Sequence, residues 1–118
     1  MDFQFYLNKL KTDVTDPILE YMRDAGIDDF TAEDVARCGA LLAEYLTALS
    51  ELREPKDADI MAQVEKVVLA LNGLNEELDY ALIETVERES ICELIQTAAV
   101  DCGLQDVPDD VTEDWREW

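Results

Sequence analysis

Between Ile60 and Leu78 the apolar side chains Ile60, Val64, Val67, Leu71, Leu74 and Leu78 recur in alternating steps of four and three. That period gives an α-helix one buried face, whereas a half-buried strand alternates every second residue. The same spacing returns at Val35, Cys38, Leu42, Leu46 and Leu49, and again at Ile91, Leu94, Ile95, Ala98 and Cys102. No alternating run of useful length competes with it, and Val14 and Val107 stand alone. The expected fold is all-α: one domain over residues 1–118, a compact helical bundle of three long helices with short N-terminal helices and an acidic C-terminal tail.

Start and stop signals divide the chain. Phe3, Leu7 and Leu10, with Tyr6 beside them, share a face over residues 2–11. Asp16-Pro17 reads as a new start, because Asp can cap and Pro suits the first helical position. Two short helices are preferred here over one kinked at Pro17, the second carrying Ile18, Tyr21, Met22 and Ala25 inward and stopping at Gly26. Thr31 and Asp34 have the spacing of a capping box, and Phe30 and Val35 that of a hydrophobic staple. The helix they open is expected to reach Arg53, before Pro55. Asp57 is the expected cap of the next, which ends near Leu78 with a bend at Asn72-Gly73. The last long helix runs from Thr85 to Gly103 with Glu87 and Glu89 near its positive end. Leu104 to Trp118 reads as an acidic loop holding Pro108 and a short helix capped by Thr112.

Composition limits function. The chain has 29 acidic against 9 basic residues, a formal charge of −20, and no histidine. A nucleic-acid binder neutralises phosphates with Lys and Arg, so DNA and RNA are excluded as direct partners. Anionic membrane surfaces are disfavoured for the same reason, and no apolar run is long enough to span a bilayer. Met1-Asp2-Phe3-Gln4 lacks the basic and apolar regions of a signal peptide. Three cysteines without a CxxC pair and without histidine offer neither a zinc site nor a disulfide framework, which together with the composition points to the bacterial cytoplasm. Ser-His and Cys-His catalysis is excluded, and four scattered glycines build no phosphate loop.

Two carboxylate patterns remain. Glu51 and Glu54 close one long helix as ExxE, and Glu76 and Asp79 close the next as ExxD. Four convergent carboxylates bind Mg²⁺, which can hold a nucleoside triphosphate and activate water. This spacing resembles the all-α nucleotide pyrophosphohydrolases of the MazG type, and the resemblance implies Mg²⁺ as cofactor. Against it, an antiparallel hairpin brings Glu51 and Glu54 near Asp57 rather than near Glu76. No other cofactor is indicated.

The second pattern is the tail. Val111, Trp115 and Trp118 are spaced to share one side of a short helix, and Asp109, Asp110, Glu113, Asp114 and Glu117 surround them. The rings either dock on the bundle or form an aromatic centre ringed by acid for a partner. The stretch Asn72-Gly73-Leu74-Asn75-Glu76-Glu77-Leu78-Asp79, with Leu82-Ile83-Glu84-Thr85, Arg88-Glu89, Ile91-Cys92 and the ending from Val111 to Trp118, is similar to a group of small acidic all-α bacterial proteins. Some of these resemble the immunity proteins of contact-dependent and polymorphic toxin systems. The resemblance covers the C-terminal half and transfers no catalytic residue; Asn72, Asn75, Glu84 and Arg88 read as a structural polar network around a turn. The leading expectation is a non-enzymatic interaction protein, an immunity-type inhibitor of a basic partner, with Asp109, Asp110, Glu113, Asp114, Trp115 and Trp118 as its contact residues. A homodimer through the small residues Ala36, Gly39, Ala40 and Ala43 is the further alternative.

Overall fold

The 3–4 spacing of apolar residues is realised as helix throughout, with no strand, in the computed structural model, which describes residues 1–118. Its helices are α1 (Phe3–Leu10), α2 (Asp16–Ala25), α3 (Ala32–Glu51), α4 (Asp57–Glu77) and α5 (Thr85–Cys102). α3 is the centre of the packing and touches all four of the others.

α1 and α2 are not separate. A π-helical turn over Lys11–Thr15 joins them into one unbroken run, and the Asp16 amide donates to the Lys11 carbonyl five residues back. Pro17 explains the wide turn. In a regular α-helix its ring would strike the Asp13 carbonyl, and its missing N–H would leave that carbonyl unpaired. The wider register relieves both. The run stops where Gly26 turns left-handed (φ 65°) and donates to Met22. The same π turn brings Thr15 against α3, where a Cβ on Gly39 would lie 3.1 Å from the Thr15 methyl. Gly39, counted among residues free for a second copy, is thus spent on contact within the chain.

α3 begins at the expected reciprocal cap. The Asp34 amide donates to Thr31 Oγ1 at 3.2 Å, and the Thr31 amide donates to Asp34 Oδ2 at 2.9 Å. Phe30 and Val35 are both buried beside it. The helix ends two residues before Arg53, because Leu52 is extended and Glu54 turns left-handed (φ 47°) to reverse the chain ahead of Pro55.

At α4 the expected cap is wrong. Asp57 lies inside the first turn, and Asp59 reaches back instead, accepting from the Lys56 amide at 2.9 Å. The Asp57 carboxylate faces away from its own helix and accepts the Gln105 and Asp106 amides, each at 2.9 Å. α4 runs through Asn72 and Gly73 without a break. Asp79 and Tyr80 then take left-handed backbone (φ 54° and 62°) to turn towards α5. The Asn75 carbonyl accepts the Tyr80 amide at 2.7 Å, and its side-chain oxygen accepts the Ile83 amide at 3.0 Å.

The core contains Leu42, Leu46 and Leu49 of α3, Ile60, Val64 and Leu71 of α4, and Ile91, Leu94 and Ile95 of α5. Tyr45 is buried among them and donates its hydroxyl to the Ile95 carbonyl at 2.7 Å. Cys38, Cys92 and Cys102 are free thiols. Burial pushes the Cys38 thiol up to about 12, which keeps it protonated and unreactive at neutral pH.

Candidate functional site

The tail is a strap, not a free arm. Asp57 holds its beginning, as described. Gln96 holds its middle, donating to the Pro108 carbonyl at 3.4 Å and accepting from the Val111 amide at 3.2 Å. Asn72 holds its end, donating to the Trp115 carbonyl at 2.7 Å and accepting from the Glu117 amide at 3.1 Å. The expected short helix capped by Thr112 is instead a set of hydrogen-bonded turns over residues 111–115. Its organiser is Asp110, whose carboxylate accepts the Thr112 hydroxyl at 2.6 Å, the Thr112 amide at 2.9 Å and Arg116 Nη2 at 3.0 Å. Partial burial works to raise the Asp110 pKa, but the Thr112 hydrogen bonds and the Arg116 charge prevail and hold it below the usual carboxylate range. Arg116 also donates to the Trp118 carbonyl and lies over the Trp118 ring, 5.6 Å from its centroid.

Of the tail residues read as partner contacts, Asp109, Glu113 and Asp114 are exposed. Asp110 is committed to Thr112 and Arg116, while Trp115 and Trp118 are half-buried against the core that includes Val111. The strap thus offers exposed carboxylates at Asp109, Glu113 and Asp114 while its two rings dock on the bundle. Asn72 and Asn75 are buried and hydrogen-bonded but not to one network: Asn75 holds the turn before α5, Asn72 holds the tail, and the Glu84 and Arg88 side chains join neither.

The four carboxylates of the Mg²⁺ reading do not meet. Glu51 and Glu54 lie at the α3–α4 turn, and Glu76 and Asp79 lie at the far end of α4. The α4 residues from Asp57 to Asn75 separate the pairs, about 28 Å of helix at the usual rise. One ion cannot bridge them, and no three Asp, Glu or Cys side chains elsewhere converge on a point that could hold a cation. The cause is the hairpin: residues that end successive antiparallel helices lie at opposite ends of the pair.

Two hollows lie in the surface, of which the sequence reading touched one, through Ala40 and Ala43. One, of about 520 Å³, runs between α3 and α4 over Ala40, Leu41, Ala43, Ala48, Val67 and Ala70, with Glu44, Glu51 and Lys66 at its edges. The other, of about 310 Å³, lies between the start of α2 and the start of α5, lined by the apolar Val14, Pro17, Ile18 and Val86, by Tyr21, and by the carboxylates Asp13, Glu84 and Glu87. Tyr21, expected inward, is 54% exposed. Val86, the second residue of α5 and off its buried stripe, was the only signal of this cleft in the sequence. Comparison with known protein families, with characterised proteins and with solved structures gives no match to this chain.

The strap carries its own reporter, because both tryptophans of the chain lie in it. Hydrogen bonds from the Gln105 amide, and then the Asp106 amide, hold the Asp57 carboxyl below its ordinary range. A carboxyl lowered in the folded state stabilises above its unfolded pKa, and that stabilisation is lost as pH falls through the folded value. Acidification below the usual carboxylate range is therefore expected to shift tryptophan emission to the red. In Asp57→Asn the emission starts redder at neutral pH and changes less over that window, the remaining change coming from Asp110. Emission identical to the parent at every pH would remove Asp57 from this role.

Proposed function

We propose that this chain is a non-enzymatic, cytoplasmic interaction module that binds a protein with a basic surface, in the manner of an immunity-type inhibitor, and that its three long helices serve as the bundle carrying that surface. One observation carries the reading. None of the 29 carboxylates is buried, and seven of them pair with a cation, which leaves twenty-two with no cationic side chain within 4 Å. A charge excess of this size creates a field that draws a basic surface in and orients it before contact. The exposed Asp109, Glu113 and Asp114, on a strap whose Trp115 and Trp118 dock on the bundle, suit the last step, where a backbone already held in place loses little freedom.

The test is affinity capture from a lysate of the source organism beside a charge-matched acidic control protein. The expected result is a basic protein enriched over the control, released by added salt, whose own activity falls when the chain is supplied. No enrichment over the control would end the proposal. A second reading, a homodimer across the α3–α4 groove, draws on the mixed charge there, since Lys66, Glu44 and Glu51 all line it. Light scattering of the chain alone at several concentrations separates the two, a constant monomer mass removing the dimer.

A further inference from the structure

The cleft between α2 and α5 sets apolar surface and negative charge side by side. Val86 is 71% exposed and Tyr21 54%, and both border a floor that includes the buried Val14 and Ile18. Asp13, Glu84 and Glu87 line it, and no cation does. The one lysine that reaches Asp13, Lys9, is shared with Glu93. Asp13 and Val14 come from the π turn, an irregularity that recurs at functional sites.

A long cationic side chain has the complementary build: methylenes that favour apolar surface below a head that favours carboxylates. The face of a tyrosine ring adds attraction for such a head. The first-turn amides of α5 have no side-chain cap and suit a main-chain carbonyl of the same incoming segment. A volume of about 310 Å³ is small for a packed helix and ample for one side chain. A second copy of this chain, at −20, would meet the three carboxylates with repulsion.

We propose that this cleft receives an arginine or lysine side chain from a basic protein partner, an inference that rests on the function proposed above and names its contact point. The stem lies on Val14, Ile18 and Val86, and the head lies between Asp13, Glu84 and Glu87.

The test is an amide NMR titration of the whole chain with the capped peptide Ac-Gly-Leu-Arg-Leu-Gly-NH₂, its citrulline counterpart, and spermidine. The arginine peptide is expected to shift the amides of Val14, Tyr21, Val86 and Glu87. The double variant Glu84→Gln/Glu87→Gln is expected to weaken it roughly tenfold, as two exposed charge pairs allow. Glu51→Gln/Glu54→Gln, the same change of charge at the other end of α3, is expected to leave it unaltered. The spectrum of each variant reports its own folding. Equal binding of the citrulline peptide, equal loss in both double variants, shifts centred on the tail, or the same pattern from spermidine would each overturn the proposal. The peptide needs no cellular partner, so its failure leaves a captured partner to dock elsewhere, whereas failure of the capture alone leaves the cleft standing.

Discussion

Leu46→Ala is expected to lower stability by about 3 kcal/mol, within the range for truncating a fully buried leucine, and to lower Tm by on the order of 10 °C. Leu46 is 0% exposed in the C-terminal half of α3, the helix that every other helix touches. Its removal costs the transfer of its own methyl groups and also leaves a space that neighbours on several elements cannot close together. Leu69→Ala is the matched comparison, since Leu69 is 50% exposed on α4 and lies off the buried stripe. It should cost well under about 1 kcal/mol. Thermal and denaturant unfolding of both variants checks the pair, and similar losses would mean that α3 is not the centre of the core.

Asn75→Leu should cost about 2 kcal/mol even though it puts an apolar residue of similar size at a position 1% exposed. Asn75 Oδ1 is the acceptor for the buried Ile83 amide, and the leucine would leave that donor without water and without a partner. The penalty belongs to the orphaned group rather than to the lost bond. Hydrogen exchange locates it: the Ile83 amide should exchange far faster in the variant, with α3 amides falling only by the global loss. An unchanged Ile83 amide would show that the side chain does not hold this turn.

Those two positions also mark what the sequence could and could not disclose. Leu46 belongs to a periodic stripe, and periodicity is a local property that needs no knowledge of the partner. The same holds for the Thr31–Asp34 cap and for Gly26, each decided within four residues. Asn75 could be suspected as a polar residue on an apolar face, but its acceptor role depends on a turn eight residues later. The strap was the least legible part. Asp57, Asn72 and Gln96 act on main-chain groups far along the chain, and nothing in their immediate neighbours separates a cap from a tether. Asp57 was therefore assigned to the helix that it begins rather than to the segment that it holds. The Mg²⁺ reading failed because ExxE and ExxD spacing says nothing about which ends of a hairpin meet. The α2–α5 cleft escaped because its charge comes from two elements more than 60 residues apart in sequence, and because Tyr21 fits the inward period while facing out.

The wide turn at Lys11–Thr15 holds a spare residue. A chain closing rings five residues apart uses one more amino acid over that span than a regular helix would. Loss of a single residue there leaves Tyr6 and Leu10 on one side and Ile18 on the other in their present phase, provided that Pro17 is also replaced, because the tighter ring brings a carbonyl back against it. A deletion elsewhere in the run turns everything before it by about 100° and carries Tyr6 and Leu10 out into water. The first helical run thus has one place where its length can vary without altering what it buries.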